Sequence, residues 1–248
     1  MSPIYVPGKV TLKKESVAAD PYYNNVSLLL HGDGANGSTT IVDSSPSPKD
    51  VEAFGNAQIS TAQSKFGGAS IAFDGTGDYL TSSTNLGYEV LGGNFTIELW
   101  ARLAAAQNDM SLVSTYFFVS PSIDSGWFLR FTPTVLRFFV GSNTSGDAND
   151  VLIDRSFSFA QNQWYHIAVT SLSNVGRIFI DGTQQGATFS IATGVNSGQS
   201  LLVGAIETTG VPALFFNGYI DDLRITKGIA RYTSNFTPPT APFPEVLG

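Results

Sequence analysis

The sequence predicts an all-β fold, a jelly-roll sandwich of two antiparallel sheets preceded by an extended arm. Three observations carry that expectation. First, Phe95-Thr-Ile-Glu-Leu-Trp-Ala-Arg-Leu103 alternates Phe95, Ile97, Leu99, Ala101 and Leu103 with Thr96, Glu98, Trp100 and Arg102, the period of a strand whose two faces meet different surroundings. Second, Asp181-Gly182 stands between Phe179-Ile180 and Thr183-Gln184-Gln185, and a tight hairpin turn needs residues that tolerate positive φ. Third, no stretch keeps an apolar period of about 3.6 residues over three turns, so no long helix is expected. Short antiparallel strands joined by tight turns bury their apolar faces by stacking one sheet on another.

Along the chain, residues 1–24 stand apart. They carry Pro3, Pro7, Pro21 and the run Lys9-Val-Thr-Leu-Lys-Lys-Glu15, which suits an arm with one short strand. A floppy leader is one reading. Docking on a neighbouring subunit is the other, favoured by Tyr5, Val10, Leu12 and the Tyr22-Tyr23 pair. Residues 25–248 contain no linker that would divide them, and are read as one sandwich with a proline-rich C-terminal tail. Its expected strands are 26–30, 57–60, 69–73, 79–81, 95–103, 111–119, 127–132 and 135–140. They continue with 153–159, 164–171, 176–180, 183–187, 201–203 and 219–226. Trp164-Tyr-His-Ile-Ala-Val-Thr170 is apolar on both parities, as in a central strand covered on both sides. Single turns are expected at 86–91 and 227–231. In the closing strand Gly218-Tyr-Ile-Asp-Asp-Leu-Arg-Ile-Thr226, Asp221 shares its parity with Tyr219, Leu223 and Ile225. A carboxylate on a buried face must be hydrogen-bonded, ion-paired or metal-bound.

Composition narrows the function. A chain of 248 residues buries enough surface to hold a large core without staples. Only 13% of residues are charged, 12% are aromatic and glycines number 25, a balance that suits turn-rich β structure. The formal net charge of −7 opposes nucleic-acid binding. Absent cysteine excludes disulfides, thiolate metal sites and thiol nucleophiles. The N-terminus lacks the apolar core of a signal peptide, and no apolar run is long enough to cross a bilayer, so a soluble product without membrane insertion is expected.

Several segments, in the right order across residues 26–236, resemble the laminin G-like members of the concanavalin A-like lectin/glucanase superfamily. They are Phe66-Gly-Gly-Ala-Ser-Ile-Ala-Phe-Asp-Gly-Thr-Gly-Asp-Tyr-Leu80, Phe95-Thr-Ile-Glu-Leu-Trp100, Gln163-Trp-Tyr-His-Ile-Ala-Val169, Ile178-Phe-Ile-Asp-Gly182 and the Gly218–Ile225 ending. The opening Val26-Ser-Leu-Leu-Leu-His-Gly-Asp-Gly34 and the ending Ile229-Ala-Arg-Tyr-Thr-Ser-Asn-Phe-Thr-Pro-Pro239 resemble a subset common among bacteriophage proteins. The resemblance implies a concanavalin A-like jelly roll with the first and last strands side by side.

Glycanases of this fold carry Glu-x-Asp-x-Glu on one strand, so that alternate carboxylates enter the groove. Here Glu98 stands alone between Thr96 and Trp100, and Glu207 is isolated in a loop. His31 and His166 are the only histidines, and no Gly-x-Ser-x-Gly elbow occurs. A non-enzymatic protein is therefore expected, and no cofactor is required. Structural calcium remains an open alternative, with oxygen ligands from Asp33, Asp43, Asp221 and Asp222. The resemblance could bring Asp33 near Asp221. Against it stands a purely structural role in which Asp221 accepts backbone N–H bonds or pairs with Arg224 or Arg231. For ligand binding the candidates are the aromatic residues Tyr116, Phe117, Trp127, Phe215 and Phe216, with the amide-rich stretch Ser142–Asp150 as a further source of hydrogen bonds; burial in the core is the competing reading for each ring. The resulting expectation is a phage virion surface protein, as capsid decoration, fibre or tail-associated component. It would be anchored to other virion proteins by its arm, assembled as a homo-oligomer, and directed at host-surface glycans. An adhesion module not tied to a virion is the alternative, and a glycan hydrolase the least favoured.

Overall fold

The structure is a computed structural model that describes residues 19–82, 88, 92–105, 109–119, 123–132, 134–142, 150–191 and 198–246. The arm residues Tyr5, Val10 and Leu12, the turn expected at 86–91 (Tyr88 apart) and most of the Ser142–Asp150 stretch lie outside the described residues.

After a 3-10 turn at Tyr23–Asn25 the strands run β1 (Val26–Leu30), β2 (Val51–Phe54), β3 (Gln58–Ser60), β4 (Ser70–Asp74), β5 (Tyr79–Ser82), β6 (Phe95–Leu103), β7 (Met110–Ser114), β8 (Phe117–Val119), β9 (Ile123–Thr132) and β10 (Val135–Ser142). They continue as β11 (Val151–Ser156), β12 (Trp164–Leu172), β13 (Val175–Ile180), β14 (Thr183–Gln184), β15 (Phe189–Ser190), β16 (Leu201–Val203), β17 (Ile206–Thr208), β18 (Val211–Ala213) and β19 (Asn217–Lys227). Among the described residues they form a nine-stranded sheet, here sheet I, ordered β14-β13-β12-β6-β19-β4-β3, with β1 beside β19 and β15 beside β13. An eight-stranded sheet, sheet II, is ordered β11-β10-β9-β7-β16-β5-β2, with β8 beside β9, and β17-β18 form a separate hairpin. The ladders are antiparallel.

The core fills the space between the sheets. Ile97, Leu99, Ile167, Val169 and Ile225 come from sheet I, and Trp127, Leu129, Phe131, Leu136 and Phe138 from sheet II. The alternation of β6 is as the sequence implies, with Phe95, Ile97, Leu99, Ala101 and Leu103 in the core. β12 lies between β13 and β6 and is buried from Tyr165 to Ser171. Asp181 and Gly182 both have positive φ, 48° and 74°, the backbone a primed hairpin turn requires.

Three things differ from expectation. The strand expected over 111–119 breaks at Thr115-Tyr116 into β7 and β8: β7 runs between β9 and β16, whereas among the described residues β8 pairs only with β9. β2, β15 and the β17–β18 hairpin were not expected; each is two to four residues long, too short for periodicity to stand out. The closing strand also changes parity. The β19–β6 register shifts between Asp221 and Arg224, and Asp222 takes φ +49°. Beyond this bulge Leu223 and Ile225 join Ile220 in the core. Tyr219, Asp221 and Arg224 stand opposite Arg102, Trp100 and Glu98 on the outer face. The bulge also marks a change of partner along the other edge of β19, from β4 at Asn217–Ile220 to β1 at Leu223–Thr226.

From Gly228 the tail runs back across the outer face of sheet I. Thr96 Oγ1 donates to Ile229 O at 3.1 Å and Thr170 Oγ1 to Tyr232 O at 2.8 Å. Phe236 N donates to Gly182 O at 2.9 Å and Asp20 N to Val246 O at 2.8 Å. A Cβ at Gly182 would fall 1.9 Å from Phe236 O, so this crossing needs glycine at the turn.

Candidate functional site

Each sheet has an outer face, and the two differ in what covers them. On sheet I the outward residues of β6 and β19 lie beneath the tail. Glu98 is fully buried; its Oε1 accepts from Arg224 Nη2 at 2.7 Å and Nε at 3.0 Å, and its Oε2 from the Tyr232 hydroxyl at 2.8 Å. His166 Nε2 lies 3.3 Å from the same Oε2. Asp20 closes the network, accepting from Arg231 Nη1 and Nη2 at 2.9 and 2.7 Å and from Arg224 Nη1 at 3.1 Å. Burial alone would raise the Glu98 pKa, but Arg224 and His166 overcome it and hold the carboxyl below its usual range. The ring of Tyr232 stacks on Phe236 at 3.6 Å and Arg224 lies 3.7 Å over Phe243. A carboxylate so enclosed and so fully paired holds the tail, and has no lone pair turned toward a groove.

The acidic residues considered for calcium are occupied separately. Asp43 Oδ1 accepts from the amides of Leu29 and Ser45 at 3.0 and 2.9 Å, and Oδ2 from Ser45 Oγ and Lys49 N, both at 2.9 Å. Asp221 Oδ2 accepts from Lys65 N at 2.6 Å and Phe66 N at 3.1 Å. Burial pushes its pKa up to about 7 against those two donors, with Asp222 and Asp33 adding repulsion. Asp222 is bonded to His31 Nδ1 and accepts from Phe243 N at 2.9 Å, while His31 Nε2 lies 3.0 Å from Glu245 Oε1. His31 is raised: burial opposes its charge, but the Asp222 hydrogen bond and the surrounding carboxylates outweigh it. Asp33 is exposed. Among the described residues no three His, Asp or Glu side chains converge in a way that could hold a metal ion. Asp33, Asp43, Asp221 and Asp222 therefore do not form one cage, because three of them spend their oxygens on backbone amides or His31.

Sheet II presents a different surface. Phe54 of β2 and Tyr79 of β5 are register partners and their rings stack at 4.7 Å with 1° between planes. Phe215 extends the stack to Tyr79 at 6.4 Å and 29°. Phe54 is 39% exposed, and Tyr79 and Phe215 are half-buried. Further along the same face, Phe128 and Phe139 stack at 5.1 Å and Tyr116 meets both edge-on at 5.3 and 5.4 Å, with Ile206 and Leu214 packed against them. Arg137 and Asp154, cross-strand partners on β10 and β11, form a bidentate pair at 2.6 and 2.7 Å.

Of the aromatic candidates, Tyr116, Phe117 and Phe215 are half-buried on or beside this face. Trp127 and Phe216 are not available there. Both are fully buried in the core, and Trp127 Nε1 donates to Tyr88 O at 3.1 Å. β9 begins four residues before Trp127, placing that ring mid-strand and inward rather than at a loop. Phe54 and Tyr79 were missed. Tyr79-Leu-Thr81 held the signal, since an inward Leu80 puts Tyr79 outward; Phe54 sits in a strand too short to read.

The Laminin_G_3 family model, described as concanavalin A-like lectin/glucanases superfamily, matches residues 74–230. No curated protein matches the chain. Among solved structures, the binding domain of botulinum neurotoxin DC in complex with SialylT has a TM-score of 0.59 at 18% identity, covering 83% of this chain and 48% of that one. The binding domain of Paraclostridial Mosquitocidal Protein 1 gives 0.58 at 17%, covering 83% and 49%. A botulinum neurotoxin type C structure, whose cell entry is described as dependent on interaction with two ganglioside molecules, gives 0.58 at 18%, covering 83% and 48%. This chain thus spans about half the length of those domains, and at such identity the likeness shows the fold.

Proposed function

We propose that this chain, which belongs to the concanavalin A-like lectin/glucanase superfamily, is a non-catalytic display module that binds saccharides on the outer face of sheet II. The observation that carries the reading is the Phe54–Tyr79–Phe215 stack. Tyr79 is stacked against both neighbours, which fixes Phe54, 39% exposed at the end of the stack, as an apolar, electron-rich surface that the C–H face of a pyranose ring packs against. Further support comes from toxin binding domains about twice this chain's length that contain the same fold, one solved in complex with SialylT and one whose cell entry depends on interaction with two ganglioside molecules. The non-catalytic part is supported by Glu98, which is enclosed and paired under the tail, and by His166, buried beside it.

A virion setting, with an N-terminal arm docking on neighbouring proteins and a symmetric assembly, belongs to the same proposal. Its support is the phage-like opening and ending of the sequence. Displaying the full chain to a glycan array tests the binding reading. The double variant Phe54→Ala/Tyr79→Ala is expected to weaken every bound glycan about tenfold or more, about 1.4 kcal/mol or more. Undiminished binding by a folded double variant overturns the assignment to this face. Truncation for the arm test stops at residue 18, because Asp20 is part of the buried ion network. Loss of particle incorporation with unchanged folding is the expected result.

A further inference from the structure

At the end of the sandwich where the chain crosses between sheets, a polar cleft of about 500 Å³ opens on the sheet I side, lined in part by Asn56, Gln58, Asp74, Asp78, Asn217 and Tyr219. Its volume falls in the range of small-molecule sites, about 300–1,000 Å³. We infer that this cleft binds one uncharged pyranose unit, stacked on Tyr219 and hydrogen-bonded by the side chains of Gln58, Asn217 and Asp74. The site lies on the opposite sheet from the aromatic stack, so it does not rest on the reading proposed above.

The cleft is built and held before any ligand arrives. Asp78 is 1% exposed and takes the amides of Asn56 and, at 2.7 Å, Asp74. Asp74 in turn accepts from Thr76 N at 2.7 Å and from Asn56 Nδ2 at 3.0 Å, and Asn217 Nδ2 donates to Asp74 O at 2.9 Å. Gly55, at φ +68°, brings the turn so close that a Cβ would sit 2.5 Å from Asp78 Oδ1. Against this fixed wall, the Gln58 amide and the Tyr219 hydroxyl have no hydrogen-bond partner among the described residues. Gln58, Ala72 and Tyr219 occupy one cross-strand row of β3, β4 and β19. Ala72 leaves room between the two longer side chains.

The chemistry of the lining selects the ligand class. An amide offers both donors and an acceptor, a phenol one of each, and a carboxylate accepts only. Together they match vicinal hydroxyls, which both donate and accept. The charged groups in the lining are the carboxylates Asp74 and Asp78, which repel an anionic sugar. The nearest cation to the Tyr219 ring is Arg102, 5.7 Å from its centroid.

The test is saturation-transfer NMR on the full chain with methyl glucoside, methyl galactoside, methyl N-acetylglucosaminide and sialic acid, each with EDTA and with calcium chloride. At least one uncharged glycoside is expected to bind with EDTA present. Gln58→Leu and Tyr219→Ala are each expected to weaken it about tenfold, with Tyr219→Phe retaining the ring contribution, while Phe54→Ala leaves it unchanged. Gln58 is on an edge strand, so Gln58→Leu keeps the test valid if Tyr219→Ala unfolds. Binding confined to sialic acid, binding that needs calcium, absence of uncharged-glycoside binding, or binding indifferent to Gln58→Leu or to a folded Tyr219→Ala overturns the inference. Sensitivity to Phe54→Ala alone would place the sugar on sheet II, leaving the first proposal standing and removing this one.

Discussion

The outer faces of the two sheets solve the same problem in opposite ways. Sheet I carries Glu98, Arg224 and His166 on its outside, and the tail, which brings Arg231 and Tyr232, seals them in. Each charge is answered by another, so Glu98, Arg224, Arg231 and Asp20 form one closed network. Sheet II carries aromatic rings on its outside and leaves several of them partly open. A charge buried in a closed network fixes where the chain must lie, whereas an open ring fixes nothing within the fold and stays available to something else. The contrast teaches that the charges enclosed under the tail serve architecture, while the open rings of sheet II stay free for recognition.

The largest expected effect follows from breaking the closed network. Removing one member of a buried, hydrogen-bonded ion pair strands its partner's charge, at a cost of about 3–5 kcal/mol. Glu98→Ala leaves Arg224 and Arg231 facing each other with Asp20 as the remaining anion. Urea unfolding is expected to show a loss in that range. A loss below about 1 kcal/mol would mean that water replaces the glutamate, and that the tail is not sealed as described.

A smaller, graded effect separates the faces by pH. Asp221 holds its proton up to about pH 7 in the folded chain, whereas the unfolded carboxyl releases it near 3.8. The folded state thus binds more protons across that window, and stability falls as pH rises through it. His31 is raised above its ordinary 6.5, so its contribution is complete below 6.5 and is lost as pH climbs through the folded value. Glu98 and Asp20 are lowered; their contribution is present above their ordinary values and lost toward acid. Stability is therefore expected to peak on the mildly acidic side and to decline toward pH 8, with a slope of at most about 1.4 kcal/mol per pH unit for each proton. Asp221→Asn should flatten the part between 4 and 7 and His31→Gln the part above 6.5. An unchanged profile in both variants would remove the bulge from the account.

How much of this was legible depends on whether the signal was local. β6 and the Asp181-Gly182 turn each announce themselves within ten residues, and both fold as read. The bulge at Asp222 does not. It flips every residue after it to the other face, since side chains alternate with a period of two, and it falls where the partner changes from β4 to β1, which lie some forty residues apart in the chain. That is why Asp221 was placed with Leu223 and Ile225. Likewise Phe215 and Phe216 are adjacent and chemically equal, yet one joins the open stack and the other the core. Only the start of β19 at Asn217 decides between them.

The smallest expected effect on stability is also the one that most sharpens the contrast. Tyr79→Ala removes a ring that stacks on Phe54 at 4.7 Å, and an aromatic pair contributes about 0.5–1.5 kcal/mol beyond its buried area. With both rings partly in solvent, the total loss is expected to be about 1–2 kcal/mol, well under that of Glu98→Ala. Urea unfolding measures it. If Tyr79→Ala proves as destabilising as Glu98→Ala, the stack is a structural seal like the tail, and the two faces no longer differ in kind. If the loss is small while glycan binding drops, the sheet II rings are kept for a partner outside the chain, because the fold itself gains little from them.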